Sequence, residues 1–290
     1  MQLVDALLTG LVLGGIYALI ALGLTLQYGV ARIMNLSYGE FLVAAAFGAY
    51  SLYIGFAISP LFSVLIAIPA AFFINWLLFK VMFVPLMRRA GSNDALEVDS
   101  ILVTFGLLFV IQGILLVVFG GQYYSYSYLS TPVSLFGSTA ALNRLVACIF
   151  AVAIACSLYL TLMRTRFGTA IRAVAINPVS AQLVGINVAF AAAFAFALGG
   201  ALVASAGVLV SMFLTFNAVM GVTFTMKALI IVIMGGAGNL LGALVAGVLL
   251  GVVEALVASF IDPGLTLAAN FMIFLVVLLI RPTGIFGKSG

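Results

Sequence analysis

The chain has 290 residues, 66% of them hydrophobic and only 6% charged; 11 Lys and Arg against 7 Asp and Glu give a net charge of +4, and there is no His. Soluble domains carry roughly 25% charged residues, so the composition excludes a soluble enzyme or nucleic-acid binder and points to a polytopic membrane protein. Without His, neither a His-ligated metal site nor a Ser-His relay can be built.

The apolar runs are continuous rather than alternating, and lipid obliges each backbone polar group to be satisfied internally. Helices rather than barrel strands are therefore expected. The fold class is all-α, with one transmembrane domain over residues 1–290. A crossing of about 30 Å at 1.5 Å per residue takes about 20 residues. Charges and turn residues place spans at 3–28, 36–53, 60–84, 100–119, 142–163, 188–213, 222–234, 240–261 and 265–280. Nine is the best count. The second and seventh are short, and are expected as broken or re-entrant elements inside the bundle.

The first span follows Met1-Gln2-Leu3-Val4-Asp5 with no basic region, so it reads as retained rather than cleaved. Gly10 with Gly14, Gly238 with Gly242 and Gly247 with Gly251 are small residues four apart, suited to close helix contacts in lipid. At the start of the second span, Ser37-Tyr38-Gly39-Glu40 has the spacing of a capping box that would start the helix at a break. Against that stands a pathway role, because intramembrane polar groups mark solute routes. Asn35, Ser37 and Glu40, with Gln112 and Asn217 further on, are the candidate translocation-pathway residues. Thr104, Gln112, Asn217 and Asn270 also suit hydrogen bonding between helices.

The loop at 120–141 holds Tyr123, Tyr124, Tyr126 and Tyr128 and no charge, as an outer aromatic interface would. Cys148 and Cys156 share the fifth span, eight apart; they form no CxxC or zinc pattern and read as buried small hydrophobes. Residues 164–185 then form a cationic stretch with its own punctuation. Asn177 suits a cap, Pro178 the first helical position and Gly185 the residue past the end, so a two-turn helix outside the bilayer is expected. The sixth span is Ala-rich with Gly199, Gly200 and Gly207, fitting the middle of the bundle. Lys227 and Glu254 lie on consecutive spans, where an ion pair would lower the cost of burying each. In the tail, Gly287-Lys288-Ser289 lacks the first glycine of a phosphate loop, since Pro282 stands there.

Orientation follows from Lys and Arg. With nine spans and the amino terminus outside, Arg32, Lys80, Arg88, Arg89, Arg164, Arg166, Arg172, Arg281 and Lys288 fall on the cytoplasmic side, and only Arg144 and Lys227 do not. This bias accounts for the positive charge without a nucleic-acid partner.

Several stretches carry a family resemblance. Gly14-Gly15-Ile16-Tyr17 running to Gly23, Asn35-Leu36-Ser37-Tyr38-Gly39-Glu40 and Gly48-Ala49-Tyr50 open the chain. Arg164-Thr165-Arg166-Phe167-Gly168, Asn177-Pro178, Gly185-Ile186-Asn187, Gly235-Gly236-Ala237-Gly238-Asn239 and the tail from Arg281 to Gly287 follow in order. Together they resemble the branched-chain amino acid type permeases of bacterial ABC importers. The chain departs from that pattern at Tyr38, where the family often has His, and at Val179, where an acidic residue is common.

The resemblance implies a non-enzymatic inner-membrane subunit that pairs with a second related permease, two cytoplasmic ATPases and a periplasmic binding protein. ATP and Mg would be bound by the ATPases, with no cofactor in this chain. Residues 164–187 would be the coupling segment, with Arg164, Arg166, Phe167, Gly168, Arg172, Asn177, Pro178 and Gly185 facing the ATPase. Branched-chain or other amino acids are the leading solutes, with urea, short amides and small organic acids as alternatives. A stand-alone secondary transporter or channel is the rival class, and it would be expected to carry ion-coordinating clusters in the bilayer.

Overall fold

The computed structural model describes residues 2–89, 91, 93–135 and 138–287. In chain order the helices are α1 (Gln2–Ala31), α2 (Tyr38–Phe56), α3 (Pro60–Leu78), a π-helical turn (Phe79–Phe83) and α4 (Val84–Arg89). Then come α5 (Asn93–Phe119), an antiparallel hairpin of β1 (Pro132–Leu135) and β2 (Ser138–Ala141), α6 (Leu142–Arg164), α7 (Arg166–Ile176) and α8 (Pro178–Leu183). The chain continues through α9 (Val188–Ser211), α10 (Gly221–Gly235), α11 (Leu240–Phe260), a 3-10 turn (Pro263–Leu265) and α12 (Thr266–Ile280). Lys288 and Ser289 lie outside the described residues.

Among the described residues, eight helical stretches are long and apolar enough to cross a membrane, the third being Pro60–Arg89 through the π turn and the last Pro263–Ile280. The seventh expected span corresponds to α10, whose 15 residues extend about 22 Å, short of the about 30 Å of hydrocarbon, as expected of a short element inside the bundle. The expected shortness of the second span resolves differently: α2 has 19 residues, long enough by count. It nevertheless begins inside the bundle. The Tyr38 hydroxyl donates to the Ile20 and Gly199 carbonyls at 2.9 and 3.2 Å, and Ile20 lies about 16 Å before the end of α1 by helical rise.

Small residues decide which helices sit centrally. Of the most apolar stretch of each helix, 89% is buried in α9 and 67% in α1, against 6% in the last span, so α12 lies on the outside of the bundle and α9 is the hub. Along the α1–α11 crossing, a Cβ at Gly10 would lie 2.7 Å from Val252 Cα and one at Gly14 2.8 Å from Val248 Cα. Only glycine permits that approach, and in lipid such van der Waals contact is what holds helices together.

The loop after α5 folds back onto the bundle. Tyr124 and Phe216 exchange backbone hydrogen bonds of 2.8 and 3.0 Å, and Phe47 is packed by Phe119, Tyr124 and Phe216. Tyr126 hydrogen-bonds Ser211 Oγ at 2.7 Å. Burial pushes its hydroxyl up to about 12, so this aromatic cap stays uncharged at neutral pH. Sequence reading missed the hairpin beside it, because strands of four residues each, Pro132–Leu135 and Ser138–Ala141, are too short for an alternation to be read. Cys156 corrects an expectation: it is exposed on α6 and Cys148 half-buried, rather than both being enclosed.

Candidate functional site

Three groupings of polar and exposed residues emerge. The first is the stretch between α6 and α9. Instead of one two-turn helix it forms two, because Thr165 supplies a second cap: its Oγ1 accepts from Gly168 N at 3.0 Å. Asn177 then ends α7 and starts α8, its Oδ1 accepting from Val179 N and Ser180 N at 3.0 Å each. Pro178 occupies the first position of α8, and Gly185 past its end has φ +81°, the left-handed conformation that glycine adopts without strain. Asn187 caps α9 through Phe190 N at 3.0 Å.

Gly168, Ile171 and Val174 form the buried face of α7. Gly168 presses on Leu162, where an added Cβ would lie 2.5 Å from Leu162 Cα. Phe167 packs edge-on against Phe194 with centroids 4.3 Å apart, tying the segment to α9. The outer side is unusual for a polar surface: Ile176, Val179, Leu183 and Val184 are 82, 67, 83 and 74% exposed. Arg164, at the end of α6, and Arg166, at the start of α7, are exposed as well. Arg172, expected to face outward with these, turns back to Met163 Sδ at 3.4 Å.

The second grouping is the junction where α2 and α10 start. The irregular link after α1 would leave backbone groups unpaired in lipid, and side chains of α5 and α10 supply partners. Gly39 N donates to Thr225 Oγ1 at 2.8 Å, and Thr225 Oγ1 donates to Leu36 O at 3.2 Å. Leu36 N donates to Thr104 Oγ1 at 3.1 Å and Met34 N to Ser100 Oγ at 3.2 Å. Asn35 Nδ2 donates to Gln27 Oε1 at 3.1 Å, and Gln27 Nε2 donates to Phe196 O at 2.9 Å.

The capping box does not form. Ser37 Oγ donates to Asn35 Oδ1 at 2.7 Å and caps nothing. The Glu40 carboxylate is fully buried, has no hydrogen-bond partner among the described residues, and lies against Gly221 at the start of α10. The acid therefore crosses to the neighbouring helix rather than reaching back along its own. Asn217 is buried in the link before α10, its Oδ1 accepting from Val219 N at 3.3 Å. Gln112 stands apart, half-buried on α5 and without a hydrogen bond among the described residues.

The third grouping joins four helices. Lys227 Nζ donates to Glu254 Oε1 and Oε2 at 2.7 and 2.9 Å and to the Tyr17 hydroxyl at 2.7 Å. Tyr17 donates to Glu254 Oε1 at 3.1 Å, and Asn270 Nδ2 donates to Oε2 at 3.1 Å. Both charged side chains are nearly enclosed, at 11 and 13% exposure. Sequence reading singled out Lys227, Glu254 and Asn270 but missed Tyr17, Gln27 and Thr225. Their partners lie 237, 169 and 186 residues away, and no local pattern carries such a pairing. Among the described residues, no group of His, Cys, Asp or Glu could hold a metal ion.

The family described as branched-chain amino acid transport system, permease component, matches residues 6–281. The high-affinity branched-chain amino acid transport system permease protein LivH of Escherichia coli K12 is 28% identical, over 96% of this chain and 94% of its own. BraD of Pseudomonas aeruginosa, of the same description, is 30% identical over 97% and 95%. The probable branched-chain amino acid transport permease protein LivH of Methanocaldococcus jannaschii is 28% identical over 96% and 90%. No solved structure matches the chain.

Proposed function

The chain belongs to the branched-chain amino acid transport system permease family, and we propose that it carries branched-chain or other amino acids inward as one permease of an ATP-driven importer. The observation that carries the reading is the apolar outer surface of α7 and α8. Four large aliphatic side chains stand exposed at the end of α7 and along α8, on a doubly capped segment between α6 and α9 whose start carries the exposed Arg166. Exposed apolar patches rimmed by polar residues mark protein contacts, and a coupling ATPase is the partner this position calls for. Arg164, Arg166, Ile176, Val179 and Leu183 would meet it, while Phe167, Gly168, Asn177, Pro178 and Gly185 hold the surface in shape.

In this reading the amino terminus is outside and the carboxyl terminus cytoplasmic. A second related permease completes the pathway, and a periplasmic binding protein delivers the solute. ATP and Mg reside on two ATPase subunits, and no cofactor or catalysis is assigned to this chain. Asn35, Ser37, Glu40 and Asn217 are buried within the chain, so they serve the pathway by fixing the α2–α10 junction. Gln112, with its half-exposed amide, is the one candidate that can face it.

Two measurements test this. Alone in liposomes, the purified chain should take up no leucine under a proton or sodium gradient. With a second permease, two ATPases and the cognate binding protein it should show ATP-dependent uptake. Gradient-driven uptake by the chain alone would instead establish a secondary transporter. With Cys148 and Cys156 replaced by Ser, Ser180→Cys should react with a membrane-impermeant thiol reagent only from the cytoplasmic side. Labelling from outside would reverse the orientation.

A further inference from the structure

Between the end of α1, α7, the 236–239 loop and the tail after α12 lies a cavity of about 770 Å³. Two guanidinium groups line it, Arg32 and Arg172, and none of its lining residues is acidic. Neither arginine forms an ion pair among the described residues. Arg172 has only the Met163 thioether at 3.4 Å and the Thr169 hydroxyl at 3.5 Å, and its buried Nε has no partner. Arg32 lies beside the Tyr28 hydroxyl, which donates to Glu97 at 3.3 Å, but Glu97 is not part of the cavity wall.

The opposite wall supplies uncharged donors. Gly236 and Gly238 have φ of +100° and +83°. Gly236 N and Asn239 N are taken by Ile233 O and Gly236 O, whereas the amides of Ala237 and Gly238 between them have no acceptor among the described residues. Successive free amides in such a turn form a concave anion cradle. Unpaired arginines are the side chains that pair with phosphate oxygens two at a time.

We propose that this cavity binds a phosphate group, held between Arg32, Arg172 and the amides of Ala237 and Gly238. Two sources offer that chemistry, the headgroup of an acidic phospholipid and a soluble phosphate. A basic pocket between helix ends at the membrane face suits the first, and the cavity's opening to water admits the second. Arg172 thereby acts in anion binding rather than in ATPase contact. The inference does not depend on the importer reading, because binding is measured on the full chain alone.

The test titrates purified full-length chain with inorganic phosphate, with dihexanoyl phosphatidylglycerol and with dihexanoyl phosphatidylcholine as the zwitterionic control. Thermal stabilisation and native mass spectrometry are the readouts. Saturable binding of phosphatidylglycerol or phosphate, but not of phosphatidylcholine, is expected. The doubly substituted Arg32→Gln, Arg172→Gln chain should bind more weakly by on the order of tenfold. Ala237 is exposed, so Ala237→Asp adds a repelling carboxylate at the cradle without removing packing, and it should weaken binding similarly. Binding of phosphatidylglycerol alone assigns the site to lipid, binding of phosphate alone to a soluble ligand, and mutual competition to both. Absence of saturable binding, or affinity unchanged by Ala237→Asp, overturns the proposal.

Discussion

Replacing Gly168 by Val is expected to lower ATP-dependent uptake by the assembled importer severalfold to about a hundredfold while the chain still inserts in the membrane. An added Cβ would lie 2.5 to 2.6 Å from the Leu162 backbone, which cannot yield as a flexible side chain could. The whole of α7 must then lift from the end of α6. Overpacking of this kind costs about 1–3 kcal/mol, a modest fraction for a helix bundle held by long apolar spans. The coupling surface is affected far more, because Phe167 is anchored on Phe194 at 4.3 Å and the exposed aliphatic residues of α8 follow through the shared Asn177 cap. A coupling loss of about 1–3 kcal/mol corresponds to roughly 5- to 150-fold. ATP hydrolysis should continue without substrate stimulation. Asn177→Leu, which removes a cap worth about 1 kcal/mol, should give a milder version. Full uptake by Gly168→Val with normal protein levels would remove the coupling role of this segment.

Legibility in the sequence divides by range. The cap at Asn177, the Pro178 start and the Gly185 stop could be read because each acts over three or four residues. The same holds for the glycine pairs of α1 and α11, whose spacing alone implies a close approach. Ser37 to Glu40 shows the failure. The spacing fits a capping box, yet Asn35 lies two residues before Ser37 and captures its hydroxyl at 2.7 Å. Glu40 meanwhile finds space against Gly221, 181 positions along the chain. Which acceptor wins there depends on α10 and on Gln27 of α1, and neither enters a four-residue pattern. Arg172 fails for a related reason. Its charge signals the cytoplasmic face, but whether it points outward or into a cavity is set by Met163 and by the distant tail. Hydropathy made eight of the nine expected spans legible, since eight helices among the described residues are long and apolar enough to cross; that α2 starts well inside the bundle was suggested only by the short second run.

The Lys227–Glu254 pair is expected to behave as a unit in a double-mutant cycle. Lys227→Met should be the most damaging single change, since it leaves the nearly enclosed Glu254 carboxyl without its cation and with only Tyr17 and Asn270 donating to it, at 3.1 Å each. Breaking a buried pair costs about 3–5 kcal/mol, and an isolated charge at mid-bilayer costs about 2.5–3.5 kcal/mol even on insertion scales. Glu254→Gln should cost less. The abandoned ammonium keeps the Tyr17 hydroxyl at 2.7 Å and sits 4.8 Å from the centre of its ring, and a cation over an aromatic face recovers about 0.5–2 kcal/mol. The double change leaves no charge behind, and Gln still offers an oxygen to Asn270. Its melting temperature in detergent should therefore lie above that of Lys227→Met, even though one more native group has been removed. Because Lys227 lies on the short α10, whose first turn touches Glu40 and Gly39, loosening the pair should also lower uptake by the assembled importer. Additive losses across the two single changes would show that each side chain is stabilised independently and that the contact holds nothing together.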